Sequence, residues 1–378
     1  MKTVGTTHLG YNTVKNISSL PFKNFRVEKK YDVFKIPEHF IFKLTNKINP
    51  LLLNLHQDFG FSKCDIFHFF NAVSFSKTPW VTTFETAMPR FGQASVRYNA
   101  MGVKLIAGKH CKKLIAMSEC ARKIELDFLK TNFPDYYETI EKKIVVLYPP
   151  QKLLITDYSK KELKPELSFI IVGAEFFRKG GREIVYTFDK LLDEGKNIKL
   201  HIVSSMEKNG YATENEYNAT MELIRKHPNH IFKYEYLSNE EVLALCSKCH
   251  IGLMPTYADT FGYSVLEAQS AGCPVITTNV RALPEINSND CGWIIPVPKN
   301  ELGHADINTQ AEREKFSTIL RNGLENVILD IVNNPTQISS KGLNCIKRIK
   351  EKHDPDKAAI RVEEIYDKAL QYDSIGPY

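Results

Sequence analysis

The chain has 378 residues, of which 43% are hydrophobic and 25% charged, and its formal net charge is +6. This composition is that of an ordinary globular protein and excludes a disordered or collagen-like chain. The length exceeds the size at which a single hydrophobic core usually stops growing, so the sequence predicts two domains of Rossmann size.

The charge is divided unevenly along the chain. Residues 1–150 contain 22 Lys and Arg against 12 Asp and Glu, whereas the remainder contains 28 against 32. A basic half indicates an anionic partner, such as a membrane surface or a lipid-diphosphate acceptor, although a solvated Lys-rich surface is an equally compatible interpretation. Nucleic acid is not expected as a partner, because the lysines are scattered and no nucleic-acid-binding motif is present.

The N-terminal residues lack the apolar stretch of a signal peptide, and no uncharged run approaches the ~20 residues of a membrane span. The eight cysteines show no regular spacing and are predicted to be reduced thiols. The sequence therefore predicts a cytoplasmic protein, peripheral at the inner face of the plasma membrane if its basic half meets lipid.

The first predicted elements are ambiguous, and the following ones are clear. Residues 25–36 are predicted to form a strand or hairpin, and residues 39–56 a helix interrupted near Pro50. Short apolar runs at 65–69, 80–84, 113–117 and 144–147 then alternate with longer periodic segments. This alternation is typical of a parallel sheet covered by helices.

A polar segment at 156–165 is predicted to link two domains. Beyond it, a second parallel sheet is predicted from apolar runs at 167–172, 199–203, 230–234, 250–254, 274–277 and 292–296. Helices are predicted at 239–249, 311–333 and 355–371, the first of them opened by Ser238 and Glu241 as a capping box. The predicted domains are residues 1–160, with 355–378 packed back onto them, and residues 165–352.

The strongest functional motif lies in the second domain, at residues 255–276. A strand leads into a turn, Gly262 lets the backbone approach a ligand closely, and the N–H groups of the following helix favour a diphosphate. Asp259 lies in the loop and Glu267 eight residues later in the helix, so the two carboxylates are placed for different hydroxyl groups of one ligand. Taken alone, a helix cap at Asp259 and a partly exposed Glu267 are an alternative interpretation.

This segment resembles the E-x7-E region of retaining GT-B glycosyltransferases of the large family numbered four. The resemblance implies that Glu267 binds the ribose hydroxyls of a nucleotide. It also implies that Asp259 and the backbone of Phe261, Gly262 and Tyr263 face the donor sugar and its phosphates. The first acid is Asp259 instead of the usual Glu, one methylene shorter, so an altered hydroxyl contact is expected.

A second motif, at residues 169–181, contains a strand, Gly173, and then Arg178 and Lys179 before a glycine pair that opens a helix. Two cations at a helix N-terminus neutralise a departing nucleoside diphosphate. The family has a strand, a glycine and a Lys-Gly pair in this place, so the resemblance assigns Gly173, Arg178 and Lys179 to the donor diphosphate. Many relatives carry an arginine directly after the first glycine; here the residue is Ala174, and Arg178 is expected to compensate.

The resemblance covers residues 64–371 and implies an α/β protein of the GT-B fold. Such a protein has two Rossmann-like domains facing a central cleft, and its C-terminal helix crosses back to the acceptor-binding N-terminal domain. The family's Gly-rich loop is reduced here to residues 8–11, and Glu85 stands where the family commonly has histidine. The Glu85 carboxylate is predicted to contact a donor hydroxyl or to act as a base on the acceptor, and in the second case an inverting outcome stays open.

Three further patterns are predicted to be structural. Residues 246–250 match the C-x-x-C-H pattern of haem attachment, but they end an amphipathic helix that runs into an apolar strand. His68 is predicted to be a core or rim histidine, and Asp354 with Asp356 to be a helix cap instead of a metal-binding D-x-D pair. No other cluster has ligand spacing, so neither a metal nor a cofactor is predicted.

Together, these motifs and the resemblance imply an enzyme that moves a sugar from a UDP- or GDP-linked donor to a glycan or lipid-linked acceptor. Lys179, Asp259 and Glu85 are the predicted catalytic residues. Retention, independence of metal and a place in bacterial surface polysaccharide biosynthesis are expected. The alternatives are a GT-B-like nucleotide-sugar epimerase and a non-catalytic nucleotide-sugar-binding subunit, the latter favoured by Ala174, Glu85 and the reduced N-terminal loop.

Overall fold

A computed structural model describes residues 1–374, and its contacts divide the chain into two compact units. Unit 1 comprises Met1–Pro150 and the segment from His353 onward, and unit 2 comprises Gln151–Lys352. Each unit contains a six-stranded parallel sheet covered by helices. The prediction of an α/β protein with two Rossmann-like domains and a C-terminal helix that returns to the first domain is confirmed.

The first part of unit 1 is built on the strand order β2-β1-β4-β6-β7-β8, with β3 and β5 as a separate short pair. The strands are β1 (Lys2–Thr6), β2 (Phe25–Lys29), β3 (Leu55–His56), β4 (Ile66–Phe70), β5 (Val73–Ser74), β6 (Trp80–Phe84), β7 (Cys111–Ala116) and β8 (Ile144–Val146). The helices are α1 (Tyr11–Thr13, continued by a π-helical turn at Val14–Ser18), α2 (Lys35–Thr45), α3 (Pro50–Leu53), α4 (Val96–Ala107), α5 (Glu119–Asn132) and α6 (Tyr137–Glu141).

Unit 2 has the strand order β11-β10-β9-β12-β13-β14. The strands are β9 (Leu167–Val172), β10 (Ile198–Val203), β11 (Ile231–Tyr234), β12 (Ile251–Met254), β13 (Val275–Thr278) and β14 (Gly292–Ile295). The helices are α7 (Gly181–Asp193), α8 (Glu214–Lys226), α9 (Asn239–Lys248), α10 (Tyr263–Ser270), α11 (Leu283–Ile286), α12 (Gln310–Asn333) and α13 (Thr336–Lys352), and α14 (Pro355–Ser374) returns the chain to unit 1.

The apolar face of α14 completes the core of unit 1. Val362 and Tyr366 are buried in one cluster with Val4 of β1 and Phe25 of β2. The predicted packing segment was 355–378, of which residues 375–378 lie outside the described residues. Burial of this face packs the C-terminal helix onto one face of the sheet, because the same cluster also includes Ile66 of β4 and Ile115 of β7.

His68 takes part in the same packing. Its Nδ1 lies 2.6 Å from the Tyr366 hydroxyl, and its Nε2 lies 2.8 Å from Oγ1 of Thr83. Burial lowers the pKa of the imidazole to about 3, so it is neutral at physiological pH. The prediction of a core histidine is confirmed.

The start of the chain differs from the prediction. Of the two alternatives for residues 25–36, the strand is confirmed by β2 at Phe25–Lys29 and the hairpin is wrong, because β2 pairs in parallel with β1, a strand that the sequence did not indicate. A parallel pair requires a crossover between its strands, and residues 7–24 supply it. The predicted helix at 39–56 is divided into α2 and α3, followed by β3, because Asn46 takes a left-handed conformation and Asn49 caps a new helix ahead of Pro50.

The predicted linker belongs to unit 2. The Tyr158 hydroxyl donates to the backbone oxygen of Ile338 at 3.3 Å, and the buried Lys161 ammonium donates to that of Ala271 at 2.7 Å. The division between units therefore falls at Pro150 and Gln151, earlier than the segment 156–165. A second difference is that the structure contains helix α13, which was not predicted from the sequence. No helix within residues 1–374 combines the length and apolar character that a membrane crossing requires.

Candidate active site

Both sheets have a point at which the strand order reverses. In unit 2 it lies between the neighbouring strands β9 and β12, and in unit 1 between β1 and β4. Ligands of open parallel sheets bind at the carboxyl ends of the strands that flank such a point. The two predicted functional loops of unit 2 follow β9 and β12, so the fold itself brings them to one crevice.

The loop after β9 positions two cations at the start of α7. Gly173 has φ 142°, and a Cβ on it would lie 2.3 Å from Cε of Lys179. The Lys179 side chain therefore runs back across Gly173 from the end of the loop. A larger residue at position 173 would displace the ammonium group, which explains why glycine suits this position.

The two loops are bonded to each other through Arg178. Its backbone oxygen accepts from the N–H of Tyr257 at 2.9 Å and from the Thr256 hydroxyl at 3.0 Å. Its guanidinium donates to the backbone oxygen of Ala258 and pairs with the carboxylate of Glu175. Arg178 thus holds the basic loop against the acidic loop.

Asp259 is the centre of a charge cluster. Its Oδ2 lies 3.2 Å from the Lys179 ammonium and 3.6 Å from the Arg178 guanidinium, and all three side chains are largely shielded from solvent. Burial alone would raise the pKa of Asp259, but the nearby cations outweigh it and hold the pKa below the ordinary value. The carboxylate is therefore charged at neutral pH. Lys179 and Asp259 are eighty residues apart in the sequence, and the fold brings them into contact.

The turn into α10 is shaped by Asp259 and Gly262. Asp259 Oδ1 accepts from the N–H of Phe261 at 3.2 Å, and Gly262 precedes the helix with φ 100°, a left-handed conformation that favours glycine. The Phe261 ring is buried and lies 5.4 Å, between ring centroids, from that of Tyr263. The Phe261 N–H was expected to face donor phosphates. In the structure it is already bonded to the shorter Asp259 side chain, which would compete with a phosphate for this group.

Glu267 lies in the second turn of α10 and is buried. The alternative interpretation of a partly exposed helix residue is therefore wrong. Its backbone oxygen accepts from the Ser270 hydroxyl at 2.7 Å. A buried carboxylate is costly unless polar groups surround it, so burial at this position agrees with a binding role more than with a solvated helix face.

Glu85 lies in unit 1, whereas the other predicted site residues lie in unit 2. It follows β6 and lines a cavity of about 520 Å³ at the point of strand reversal. Its carboxylate pairs with the Arg90 guanidinium and accepts from the Asn71 side-chain amide at 3.3 Å. The carboxylate is thus oriented by two donors, an arrangement suited to binding a hydroxyl group as well as to proton transfer.

Sequence reasoning missed Asn71, Arg90 and Lys35, which line this cavity with Glu85. Asn71 directly follows the buried strand β4, and polar residues at the carboxyl end of a parallel strand are a recognisable signal. Arg90 and Lys35 carried no such signal, because Arg90 lies in the loop before α4 and Lys35 at the start of α2, and tertiary packing brings both to the cavity. Residues 8, 10 and 11 of the reduced N-terminal loop also line it.

The structural interpretations of the other motifs hold. Cys246 and Cys249 are buried around the end of α9, and His250 Nδ1 accepts from the N–H of Ser168 at 2.9 Å. Asp354 Oδ1 accepts from the backbone N–H groups of Asp356 at 2.9 Å and Lys357 at 3.0 Å, as a helix cap does.

One group of three side chains within residues 1–374 has the spacing of a metal site. Asp189, Asp193 and His227 bring their ligand atoms within 4.8 Å of one another. The Lys226 ammonium lies 2.8 Å from Asp189 Oδ1 and 2.6 Å from Asp193 Oδ2. The two carboxylates are thus engaged by a cation of the chain, and the group forms an ion-pair network between α7 and α8.

Comparison with solved structures defines the class of fold. The chain superposes on a glycosyltransferase from Rickettsia africae ESF-5 with a TM-score of 0.62 and 15% identity, over 98% of this chain and 99% of that one. It also superposes on Anabaena Alr3699/HepE, solved in complex with UDP-glucose, with a TM-score of 0.58 and 9% identity, over 97% of this chain and 100% of that one. The chain therefore has the GT-B fold.

Sequence comparison identifies the domain that carries the candidate site. Residues 155–323 match the family model described as glycosyl transferases group 1, so the chain contains a domain of this family. CapM of Staphylococcus aureus, a capsular polysaccharide biosynthesis glycosyltransferase, is 28% identical over 34% of this chain and 33% of its own length. The serotype-specific mannosyltransferase WbdA of Escherichia coli is 30% identical over 32% of this chain and 14% of its own length. The chain thus spans a third or less of these two relatives.

Proposed function

We propose that the protein is a glycosyltransferase that moves a sugar from a nucleotide-sugar donor to a glycan or lipid-linked acceptor. The observation that carries the proposal is the cluster of Lys179, Arg178 and Asp259 at the point of strand reversal of unit 2. It joins two loops, each leading into a helix, inside a glycosyl transferases group 1 domain.

The charges of this cluster suit glycosyl–phosphate cleavage. As the bond breaks, negative charge grows on the departing nucleoside diphosphate while the sugar becomes oxocarbenium-like. Lys179 and Arg178 balance Asp259 in this structure, and a bound diphosphate would compete for the same two cations. The N-terminus of α10 adds partial positive charge. We therefore propose transfer with retention and without a metal, the protein cations supplying the stabilisation.

Glu267 and Glu85 complete the proposed roles. Glu267 is proposed to accept hydrogen bonds from ribose hydroxyls, and the backbone of Gly262 and Tyr263 is proposed to contact the donor. Glu85 is proposed to contact a sugar hydroxyl within the unit 1 cavity, because Arg90 and Asn71 orient its carboxylate.

The relatives support a proposed biological setting. CapM is named for capsular polysaccharide biosynthesis and WbdA for serotype-specific mannosyl transfer, while HepE was solved with UDP-glucose. We propose a UDP- or GDP-linked hexose as donor and bacterial surface polysaccharide biosynthesis as the pathway. We further propose that the protein works at the inner face of the plasma membrane, where its basic first half meets anionic lipid.

The test is a transfer assay with the purified chain. UDP- and GDP-linked hexoses are incubated with and without a short glycan or a polyprenyl-diphosphate-linked sugar, and nucleotide release and sugar products are followed by chromatography and mass spectrometry. We expect free nucleoside diphosphate and glycosylated acceptor to appear together, the anomeric configuration to be retained by NMR, and EDTA to leave the rate unchanged.

Two outcomes of this assay contradict the proposal. A changed sugar still attached to its nucleotide, formed without acceptor, would establish an epimerase instead. Donor binding without turnover, with every acceptor class tested, would establish the non-catalytic subunit that Ala174 and the reduced N-terminal loop left open.

A further inference from the structure

Helix α2 of unit 1 is an amphipathic helix that buries none of its side chains. Ile36, Phe40 and Leu44 are 48%, 60% and 84% exposed. At about 100° per residue, side chains four and eight positions apart lie on one face of a helix, so these three form a single apolar stripe. A surface helix normally packs such a stripe on the core, and here it faces outward.

Further exposed apolar side chains lie near α2. Phe59 and Phe61 are 68% and 78% exposed, and their loop lies beside the start of α2 because the N–H of Val33 donates to the backbone oxygen of Gln57 at 2.9 Å. Adding the exposed residues just before and after the helix completes the surface. We define the apolar rim as the side chains of Tyr31, Ile36, Phe40, Leu44, Ile48, Phe59 and Phe61.

The apolar rim is bordered by lysines. Residues 29–48 contain five lysines against two acids, Asp32 and Glu38. Lys29, Lys43 and Lys47 make no ion pair with any side chain within residues 1–374. Lys43 lies three positions after Phe40 in α2 and therefore beside the apolar stripe. The border thus carries positive charge that the protein itself does not neutralise.

Exposed large hydrophobic side chains are concentrated in unit 1. Of the seventeen large hydrophobic side chains that are exposed among the described residues, fifteen lie in unit 1 and only Tyr236 and Leu343 in unit 2. Singly exposed hydrophobic residues are ordinary, but a contiguous apolar patch with a charged border marks an interaction site.

We propose that the apolar rim is the surface by which the protein docks on a bilayer containing anionic lipid. Phe40 and Leu44 enter the boundary between headgroups and acyl chains, and Lys43 and Lys47 remain at the anionic headgroups. An amphipathic helix with Phe and Leu on one face and Lys beside it is the form that interfacial membrane helices take.

Charge complementarity favours lipid over a second copy of the chain. A symmetric dimer would place the same patch on both partners and so bring Lys43 and Lys47 toward the equivalent lysines of the other copy. An anionic bilayer instead attracts each of these lysines, by about fivefold in affinity per residue.

The apolar rim also borders the proposed acceptor cavity. Ile48 of the rim and Lys35 of α2 both line the 520 Å³ cavity that contains Glu85. Docking through the rim would bring the opening of the cavity to the membrane, where a lipid-linked acceptor has its headgroup. This step of the inference rests on the proposed function.

The test is co-sedimentation of the full chain with vesicles of phosphatidylcholine alone and of equimolar phosphatidylcholine and phosphatidylglycerol. We expect binding to the anionic vesicles that weakens with added salt. The double variant Phe40→Ser/Leu44→Ser should lose about 100-fold or more in affinity, since each buried apolar side chain contributes about tenfold or more. Lys43→Glu/Lys47→Glu should lose about fivefold or more per lysine.

Matched controls come from α4 of the same unit. Val96 is exposed like Phe40, and Lys104 is an exposed lysine, so Val96→Ser and Lys104→Glu should bind vesicles as the wild type does. Since α2 buries no side chain, the test variants should keep the wild-type circular dichroism and melting temperature. They should also keep wild-type stabilisation by UDP or GDP, which depends on unit 2.

Three results would overturn the inference. They are wild-type binding that does not depend on phosphatidylglycerol, equal losses in the α2 and α4 variants, and a wild-type dimer that Phe40→Ser/Leu44→Ser dissociates without any change in vesicle binding. Nucleotide release and transfer by a protein that fails to bind vesicles would refute the docking surface while leaving the proposed function intact.

Discussion

The two units present their polar side chains in different ways. In unit 2, Lys179 and Asp259 come from two loops that each lead into a helix, and glycines mark both loops in the sequence. In unit 1, Glu85, Asn71 and Arg90 come from segments without a shared spacing. A site built on strand–turn–helix junctions is therefore visible in a sequence, whereas a cavity assembled by loop packing is visible only in the fold.

The two units also differ in the number of large hydrophobic side chains that they expose. Unit 2 exposes two large hydrophobic side chains among the described residues, and unit 1 exposes fifteen. We propose that unit 2 recognises the donor nucleotide and that unit 1 contacts an extended partner.

The largest effect is expected for Lys179→Ala. Removing a preorganised cation from the leaving diphosphate should lower kcat/KM of sugar transfer by about 10²- to 10³-fold, and Lys179→Arg should recover part of it. The matched control is Lys190→Ala, which removes an exposed lysine from α7. Steady-state kinetics measure the difference, and equal activities of Lys179→Ala and Lys190→Ala would refute the role.

The next largest effect is expected for Glu267→Gln. Loss of charged hydrogen bonds to ribose should weaken nucleotide binding by about 10- to 100-fold, measured by isothermal titration calorimetry. A 2′,3′-dideoxynucleotide should bind the wild type and this variant equally, because it lacks the hydroxyls. The control is Glu222→Gln, at an exposed position. The assignment holds if Glu267→Gln prefers the nucleotide over the dideoxynucleotide less strongly than Glu222→Gln does. An equal preference in the two variants rejects it.

Glu125 should make the stability of unit 1 depend on pH. Burial raises the pKa of this α5 carboxyl from 4.5 to about 8, although its Oε2 accepts from the N–H of Met88 at 2.6 Å. The folded state keeps a proton that the unfolded state releases, so the free energy of unfolding falls as pH rises between these two values. From about pH 5 to pH 7 we expect a loss of roughly 2 kcal/mol.

Urea unfolding across this pH range measures the loss. Glu125→Gln should flatten the dependence, because an amide does not titrate. Asp127→Asn, at an exposed position of the same helix, should leave it unchanged. A stability that rises over this range in the wild type, or an unaltered slope in Glu125→Gln, would contradict the prediction.

The smallest effect is expected for Arg90→Ala. Without its partner the Glu85 carboxylate loses orientation, so the KM for the acceptor should rise by about tenfold while nucleotide affinity is unchanged. Arg97→Ala, on the surface of α4, is the control. Weakened nucleotide binding in Arg90→Ala would mean that the two units do not divide recognition as argued.

Much of the fold was predictable because its strands are buried on both sides. Continuous apolar runs identified β6 and β9 with their structural bounds, and Ser238 with Glu241 gave the start of α9. By contrast, β1 was not predicted, because Val4 is its only large apolar residue. It is a strand because it pairs in parallel with β2, which no local pattern indicates.

The site was predictable in its residues and less so in its bonds. The resemblance assigned Lys179 and Asp259 to one donor ligand, but it indicated neither their direct ion pair nor the bond from the Phe261 N–H to Asp259. The Arg90 partner of Glu85 and the outward stripe of α2 depend on tertiary placement, which no local spacing encodes.

The most direct test of the central claim is a thermal-shift screen of the purified chain against UDP, GDP, ADP, CMP and their sugars, with Lys179→Ala and Glu267→Ala alongside. The account predicts selective stabilisation by one nucleoside diphosphate and its sugar, lost in both variants. Stabilisation by no nucleotide, or stabilisation that survives both substitutions, would contradict a donor site at these residues.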